Sequence, residues 1–249
     1  MPDVLFLMVG RGGSKGVPRK NLRTLGGLSL VGFKALSARR SKYCSRLVIS
    51  TDDAEIQDEA RRFGVEVPFT RPAELAGDHA TSEDVVRHAL DWFETVEGRR
   101  YDAVMLLEPS SPFARAADYD AAVELMVARH AKLVVGMREA EVNPVFVGPV
   151  TPDGSIGGIV DNILALRSSR RQDVARSWTM NGALYLFAWD EFKATGRIYS
   201  DPAASYGLEM SPAHSIEIER PADLDYAAFA VEHGLLDLGD WQDALNPRK

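Results

Sequence analysis

Short apolar runs of strand length recur along the chain, at Val4–Val9, 47–50, Ala103–Leu107, 133–137 and 183–187. Their near-continuous apolar character predicts strands buried on both faces. Between the first four runs the spacing of apolar residues changes to helical. Helices are expected over 29–40, 53–63, 82–93 and 117–130; the second opens on acidic residues and stops at Gly64, and the third places Val85, Val86, Ala89, Leu90 and Phe93 on one side. Such strand–helix alternation predicts an α/β fold: a mostly parallel, open sheet with helices on both faces. Ligands of these sheets bind beyond the carboxyl ends of the strands, which directs attention to the loops after Val9, Ser50 and Leu107.

From about 139 to 210 the rhythm breaks. Pro144, Pro149 and Pro152, glycines 154, 157 and 158 and an arginine-rich patch read as short strands and loops, an inserted lobe within a single domain spanning 1–249. A last helix is expected over 222–232, and 235–249 reads as a loosely attached tail. Composition narrows the function classes. With 29 basic against 36 acidic residues the chain carries a net charge of −7, which argues against general nucleic-acid binding. No apolar run is long enough for a signal peptide or a membrane span, so a cytoplasmic protein without a membrane partner is expected. The single Cys44 excludes an internal disulfide, and the five histidines show no metal-ligand spacing.

The loop after the first strand carries the chemistry. Gly10, Gly12, Gly13 and Gly16 let a backbone approach a ligand closely, and between Gly10 and Arg23 stand five cations, Arg11, Lys15, Arg19, Lys20 and Arg23, with no acid. In a chain of net negative charge this concentration predicts an anion, and its place after a buried strand predicts a phosphate. Two familiar patterns do not apply. Lys15 occupies the third glycine of the dinucleotide fingerprint, and Ser14 and Gly16 flank Lys15 where a P-loop has Gly and Ser/Thr.

The segment Gly10-Arg11-Gly12-Gly13-Ser14-Lys15, followed by Pro18, Lys20 and Asn21, resembles the nucleotide-binding signature of the sugar-acid cytidylyltransferases, above all the acylneuraminate (CMP-N-acetylneuraminate) synthetases, with Gly10 in place of Ala. The resemblance continues in order through Ser50-Thr51-Asp52-Asp53, Arg71-Pro72-Ala73-Glu74-Leu75-Ala76, the stretch 78–82, Pro109-Ser110-Ser111-Pro112, Arg170-Arg171-Gln172-Asp173, Asn181-Gly182-Ala183 and Ser215-Ile216-Glu217-Ile218-Glu219. It implies a Rossmann-like nucleotidyltransferase that joins the C2 hydroxyl of an α-keto acid sugar to the α-phosphate of CTP and releases pyrophosphate.

What the resemblance implies can be followed residue by residue. Arg11, Ser14 and Lys15, with the amides of Gly12 and Gly13, hold the triphosphate. Lys20 offsets the charge of the leaving pyrophosphate, and Asn21 orients nucleotide or nucleophile. Arg71, the backbone of Ala80 and Ser82 read the base. Ser82 can equally cap the helix that starts there, and Asp53 is expected to cap rather than catalyse. Glu108, Arg171, Asn181 and Tyr185 take sugar-side positions. Tyr185 can also be a packing residue, and Glu108 departs from the family's Gln, which favours a legionaminic- or pseudaminic-type acid, or another acidic acceptor, over N-acetylneuraminate. Glu217 and Glu219 replace two Asp. In a strand their carboxylates would point to one side while Ile216 and Ile218 enter the core, and two adjacent carboxylates fit Mg²⁺. In the family, part of the lobe reaches a partner subunit, so a homodimer is implied. The alternatives are the same chemistry with another nucleotide or acceptor, a phosphonate included, and a non-catalytic nucleotide-binding homologue.

Overall fold

The computed structural model describes residues 1–166 and 176–245. In chain order the elements are β1 (Val4–Val9), the hairpin of β2 (Thr24–Leu25) and β3 (Leu28–Ser29), α1 (Leu30–Arg40), β4 (Cys44–Ser50), α2 (Ala54–Arg62), α3 (Ser82–Trp92), β5 (Ala103–Leu107), α4 (Ala116–Arg129), β6 (Leu133–Glu139), α5 (Gly157–Leu164), β7 (Trp178–Ala188), α6 (Trp189–Thr195), β8 (Ser205–Glu209), α7 (Pro221–Glu232) and α8 (Gln242–Leu245). Six strands form one sheet in the order β4-β1-β5-β7-β6-β8. β1 runs parallel to both neighbours and β6 parallel to β8, whereas β7 is antiparallel to β5 and β6. The expected mostly parallel open sheet is present, with one reversed strand in its middle.

The period-two geometry of a strand divides the core between the two faces. Val4, Phe6 and Met8 pack with α1, α2 and α4 through Val31, Ala35, Ile56, Ala60, Tyr119 and Ala122. Leu5 and Leu7 face the other way, against Val86, Ala89 and Leu90 of α3 and Trp189 and Phe192 of α6. A third cluster joins Val17 of the first loop, Leu25, Phe33, Ile218, Ala227 and Trp241. It is the platform that fixes both the glycine-rich loop and the segment carrying Glu217 and Glu219.

Four expectations are corrected. The stretch 139–210 is not all lobe: it supplies β7, in the middle of the main sheet, and the edge strand β8. The strand expected at 183–187 starts earlier because its first residues pair with β6, Met180 with Met137 and Trp178 with Glu139. Residues 235–245, the described part of the expected tail, are not loosely attached. Leu236 and Trp241 are buried, and Trp241 Nε1 donates to the Phe33 carbonyl at 2.6 Å. One tryptophan and scattered leucines in a mostly polar tail carry no periodicity, so their burial could not be read from the pattern. Residues 216–219, expected as a strand, pair with no sheet. Ile218 is fully buried, Ile216 only partly, and a single ladder-like bond holds them, from Ile218 N–H to the Ser110 carbonyl at 2.8 Å.

Candidate active site

The carboxyl ends of β1 and β5 open into a cleft of about 450 Å³. Its first wall is the loop after β1. Gly10 N–H donates to Ser50 O at 3.2 Å and Gly12 N–H to the Asp52 carboxylate at 3.2 Å, which ties the loop to the end of β4. Gly16 packs so closely on the backbone of Glu219 that a Cβ there would collide with its carbonyl oxygen. Asn21, buried, donates through Nδ2 to Arg11 O at 3.1 Å. Lys20 Nζ donates to Ile218 O at 2.8 Å, linking the loop to the acidic segment. Arg19 pairs with Glu55 of α2, and Arg23 Nε donates to Pro18 O within the loop at 3.0 Å, so both cations have partners in the protein. Arg11 and Lys15 reach across the mouth of the cleft to Asp78, at 3.1 and 2.6 Å. The Lys15 hydrogen bond, then Arg11, holds the Asp78 carboxyl below its ordinary range.

On the opposite wall, Arg71 is buried, with Nε donating to Ser50 Oγ at 3.1 Å and Nη2 to Ser50 O. Burial lowers its pKa to about 10, partly offset by Asp52. Ala80, Thr81 and Ser82 complete this wall. Thr81, not Ser82, caps α3: its hydroxyl accepts from Asp84 N–H at 3.1 Å, and Asp84 accepts from Thr81 N–H, a reciprocal capping box. Ser82 is thereby released from capping and faces the cleft. Asp53 does cap α2, accepting from the N–H groups of Glu55 and Ile56 at 2.9 and 3.0 Å.

Glu108, just beyond the end of β5, forms the floor. Burial, then the nearby Glu217, pushes its carboxyl above the usual range, while Lys34 and Lys20 pull it back. A smaller cavity of about 130 Å³ shares Glu108 and Ser82 with the cleft and is bounded by Tyr185, Tyr199, Leu106 and Ile198. The two tyrosine rings meet edge-on with centroids 6.5 Å apart. Glu219 lines the main cleft, and with Glu217 it lines an adjoining cavity. Glu217 is half-buried; burial and the charge of Glu219 raise its carboxyl, and Lys20 and Arg138 oppose the shift. Two oxygen donors close enough to repel one another fit a hard divalent cation. Among the described residues no group of three or more His, Cys, Asp or Glu side chains converges, so the other ligands would be substrate oxygens and water.

The structure thus gathers Arg11, Ser14, Lys15, Lys20, Asn21, Arg71, Ala80, Ser82, Glu108 and Glu219 around one cleft, with Gly12 and Gly13 in its loop and Tyr185 and Glu217 in adjoining cavities. It does not bring the Asn181 side chain there. That amide is buried, donating to Ser215 Oγ at 2.8 Å and accepting from Ala183 N–H at 3.1 Å. Arg171 lies outside the described residues. Sequence reasoning gave no part to Lys34, although it stands on the apolar side of α1 among Val31, Ala35 and Ala38, the one signal that could have marked it. The ionic role of Asp78, within the stretch 78–82, is not legible in the sequence, because its partners Arg11 and Lys15 lie 67 and 63 residues upstream and meet it only through the fold.

A polyphosphate-sized, cation-walled cleft at the carboxyl edge of a mostly parallel sheet defines a nucleotidyltransferase. The Cytidylyltransferase family model matches residues 5–142, more than half of the chain, and the protein belongs to that family of enzymes. Over 246 residues it is 29% identical to the CMP-N,N'-diacetyllegionaminic acid synthase of Legionella pneumophila, covering 97% of this chain and 99% of the relative. It is 28% identical over 241 residues to the post-translational flagellin modification protein B of Campylobacter coli, covering 97% and 100%. The N-acylneuraminate cytidylyltransferase A of Danio rerio matches at 28% over 220 residues, 88% of this chain and 48% of that protein. Among solved structures, the CMP:2-keto-3-deoxy-manno-octonic acid synthetase complexed with CTP superimposes with a TM-score of 0.66 at 15% identity, covering 93% and 99% of the two chains, a likeness of fold. Among the described residues no helix is long and apolar enough to cross a membrane.

Proposed function

We propose that this enzyme transfers CMP from CTP to an α-keto acid sugar of the legionaminic–sialic type and releases pyrophosphate. The observation that carries the reading is one cleft lined by the cations Arg11, Lys15 and Lys20, by Arg71 and Ser82, and by the carboxylate of Glu108. The full-length match to a CMP-legionaminic acid synthase supports a sugar acid as acceptor. Glu108 in place of an amide favours an acceptor other than N-acetylneuraminate, because a carboxylate offers no donor and repels a nearby anion.

In this reading CTP displaces Asp78 from Arg11 and Lys15, and the triphosphate takes over both cations. Ser14 and the amides of Gly12 and Gly13 add donors. Lys20, held by Ile218 O beside the acidic segment, neutralises charge as pyrophosphate leaves. Preorganised charge of this kind is what phosphoryl transfer chiefly requires. Asn21 keeps the Arg11 backbone in place. Arg71, Ala80 and Ser82 offer the guanidinium, backbone and hydroxyl groups a pyrimidine needs. Glu217 and Glu219 would hold Mg²⁺, which, when bound, screens the phosphate oxygens and polarises the phosphorus centre. We place the enzyme in the cytoplasm, acting as a homodimer through the lobe that contains α5.

The test is pyrophosphate release from a matrix of CTP, UTP and GTP against N-acetylneuraminic, N,N'-diacetyllegionaminic and pseudaminic acids, with the product mass determined. Release should require CTP and a sugar acid. Folded protein that releases none with any pair would remove the proposal, and turnover with GTP alone would replace its nucleotide. Sedimentation of a monomer at micromolar concentration would remove the dimer.

A further inference from the structure

Lys34 is fully buried in the middle of α1, yet its Nζ makes no ion pair among the described residues. Its hydrogen bond goes to the Ala183 carbonyl, 2.9 Å away. That carbonyl belongs to an irregularity in β7. Tyr185 pairs with Val135 and Met180 with Met137, so the residues between 180 and 185 outnumber those opposite them. Extra residues leave the ladder unsatisfied and re-aim the chain. Here three backbone groups of the bulge are satisfied by side chains. Lys34 takes Ala183 O, the Asn181 amide ties Ala183 N–H, and Ser111 Oγ donates to Asn181 O at 3.2 Å. Gly182, at φ 65°, presses against the Glu217 carboxylate and Ser111. The charges that act on Lys34 are Glu108, first in magnitude, then Asp118 and Glu217. Glu108 in turn feels Lys34 as its largest attractive charge.

A buried lysine used only as a strut would be a costly choice, since an uncompensated charge in the interior is unfavourable. Its position explains the cost: Nζ is anchored on Ala183 O, next to Gly182, which lies against Glu217 and Ser111, and two residues before Tyr185. We propose that Lys34 is a positioning residue for the acceptor half of the cleft, holding the β7 bulge through Ala183 O and serving as the buried counter-charge that keeps the Glu108 carboxylate in the floor of the site. The proposal rests on the assignment of Glu108 to the acceptor side. It makes Lys34 and Glu108 a unit, so their effects are non-additive, as for any directly coupled pair.

The experiment is a double-mutant cycle on the full chain with Lys34→Met, Glu108→Gln and the combination, read in two ways. Thermal unfolding without any sugar measures the coupling itself, so it stands even where the sugar-acid assignment fails. Steady-state kinetics measure positioning. Lys34→Met alone should lower Tm and cut kcat/KM for the acceptor by about tenfold or more, while the KM for CTP stays within about twofold. In the Glu108→Gln background the same substitution should cost less than about threefold in kcat/KM and less in Tm. Where Lys34→Met does not fold alone, the combined variant decides: a folded protein supports the coupling and an unfolded one overturns it. Equal penalties in both backgrounds overturn it too, reducing Lys34 to a strut. An increase in CTP KM matching the loss in acceptor kcat/KM overturns the placement on the acceptor half.

Discussion

Gly182→Ala isolates the geometry on which the acidic side of the site depends. Gly182 has φ 65°, and a Cβ there would lie 2.8 Å from Glu217 Oε1 and 2.9 Å from Ser111 Oγ. Gly98, far from the site in the loop after α3, has φ 64° and nothing within 4 Å of the equivalent Cβ. The two substitutions therefore share one backbone penalty, about 1–2 kcal/mol for a left-handed non-glycine residue, reduced by about 0.4–1 kcal/mol because alanine restricts the unfolded chain. Gly98→Ala should cost about 1 kcal/mol, a fall in Tm of about 2–4 °C for a chain of this size. Gly182→Ala adds contacts about 0.5 Å inside ordinary separation, an overpacking cost of about 1–3 kcal/mol. The side chain that yields most readily is Glu217, because Ser111 is held to Asn181 O. A displacement approaching 1 Å at a reacting group costs on the order of 10²-fold in rate. Pyrophosphate release should thus fall at least about tenfold in Gly182→Ala and stay within about twofold in Gly98→Ala, with Tm measured by scanning fluorimetry on both. Equal turnover in the two variants would refute the placement of Glu217 at the reacting end.

Asp78→Asn removes the anion that occupies Arg11 and Lys15; initial-rate kinetics should show a CTP KM lowered about 2–5-fold, as expected for the loss of an exposed ion pair, and the gain should shrink in high salt. Lys20→Met removes both the charge and the tie to Ile218 O, and kcat for pyrophosphate release should drop on the order of 10²-fold. Lys34, whose pKa is lowered from 10.5 to about 7 by burial against the pull of Glu108, Asp118 and Glu217, binds its proton less well folded than unfolded. Stability should therefore rise with pH from about 7 towards 10 and fall as pH drops through about 7. Thermal melts across that window should show this rise in the wild type and lose it in Lys34→Met, and parallel curves for the two proteins would contradict it.

The parts of the molecule that follow local rules were readable from the chain. β1 is apolar at every position because it is covered on both faces, and Asp53 and Gly64 mark the ends of α2 by capping chemistry that acts within a few residues. The glycine-and-cation loop was readable because its composition is itself the function. What escaped reading depends on partners distant in sequence. Ile218 looked like a strand residue, yet it is buried in a cluster with Val17 and Trp241, its N–H bonded to Ser110 O and its carbonyl to Lys20 in place of a ladder. Thr81 takes the cap from Ser82 because only Asp84, three residues after Thr81, can return the bond. Asn181 has the composition of a ligand contact, but the β7 bulge spends its amide on Ser215 and Ala183. A strand reversed in the middle of a parallel sheet leaves no trace in its own apolar pattern, since parallel and antiparallel buried strands present the same residues to the core.

The cleft is electrically divided, and the division bears on specificity. Arg11 and Lys15 meet at Asp78, where the triphosphate would lie, whereas Glu108, Glu217 and Glu219 stand where the acceptor hydroxyl would approach, with Lys20 beside them on Ile218 O. An acceptor that is itself an anion must keep its carboxylate away from Glu108. Two like charges about 6 Å apart repel by about 3 kcal/mol at an effective dielectric constant near 20, enough to decide between acceptors that differ in pose. Glu108→Gln removes that repulsion and supplies an amide donor, so it should lower the KM for N-acetylneuraminate by about tenfold or more, measured against N,N'-diacetyllegionaminate in the same assay. The same substitution leaves Lys34 without its foremost counter-charge and should lower Tm. Gained affinity with lost stability is the signature of a carboxylate kept for selectivity and balanced from beneath. An unchanged ratio of the two acceptors would show that the acceptor carboxylate lies outside the reach of Glu108, and that discrimination arises elsewhere in the cleft.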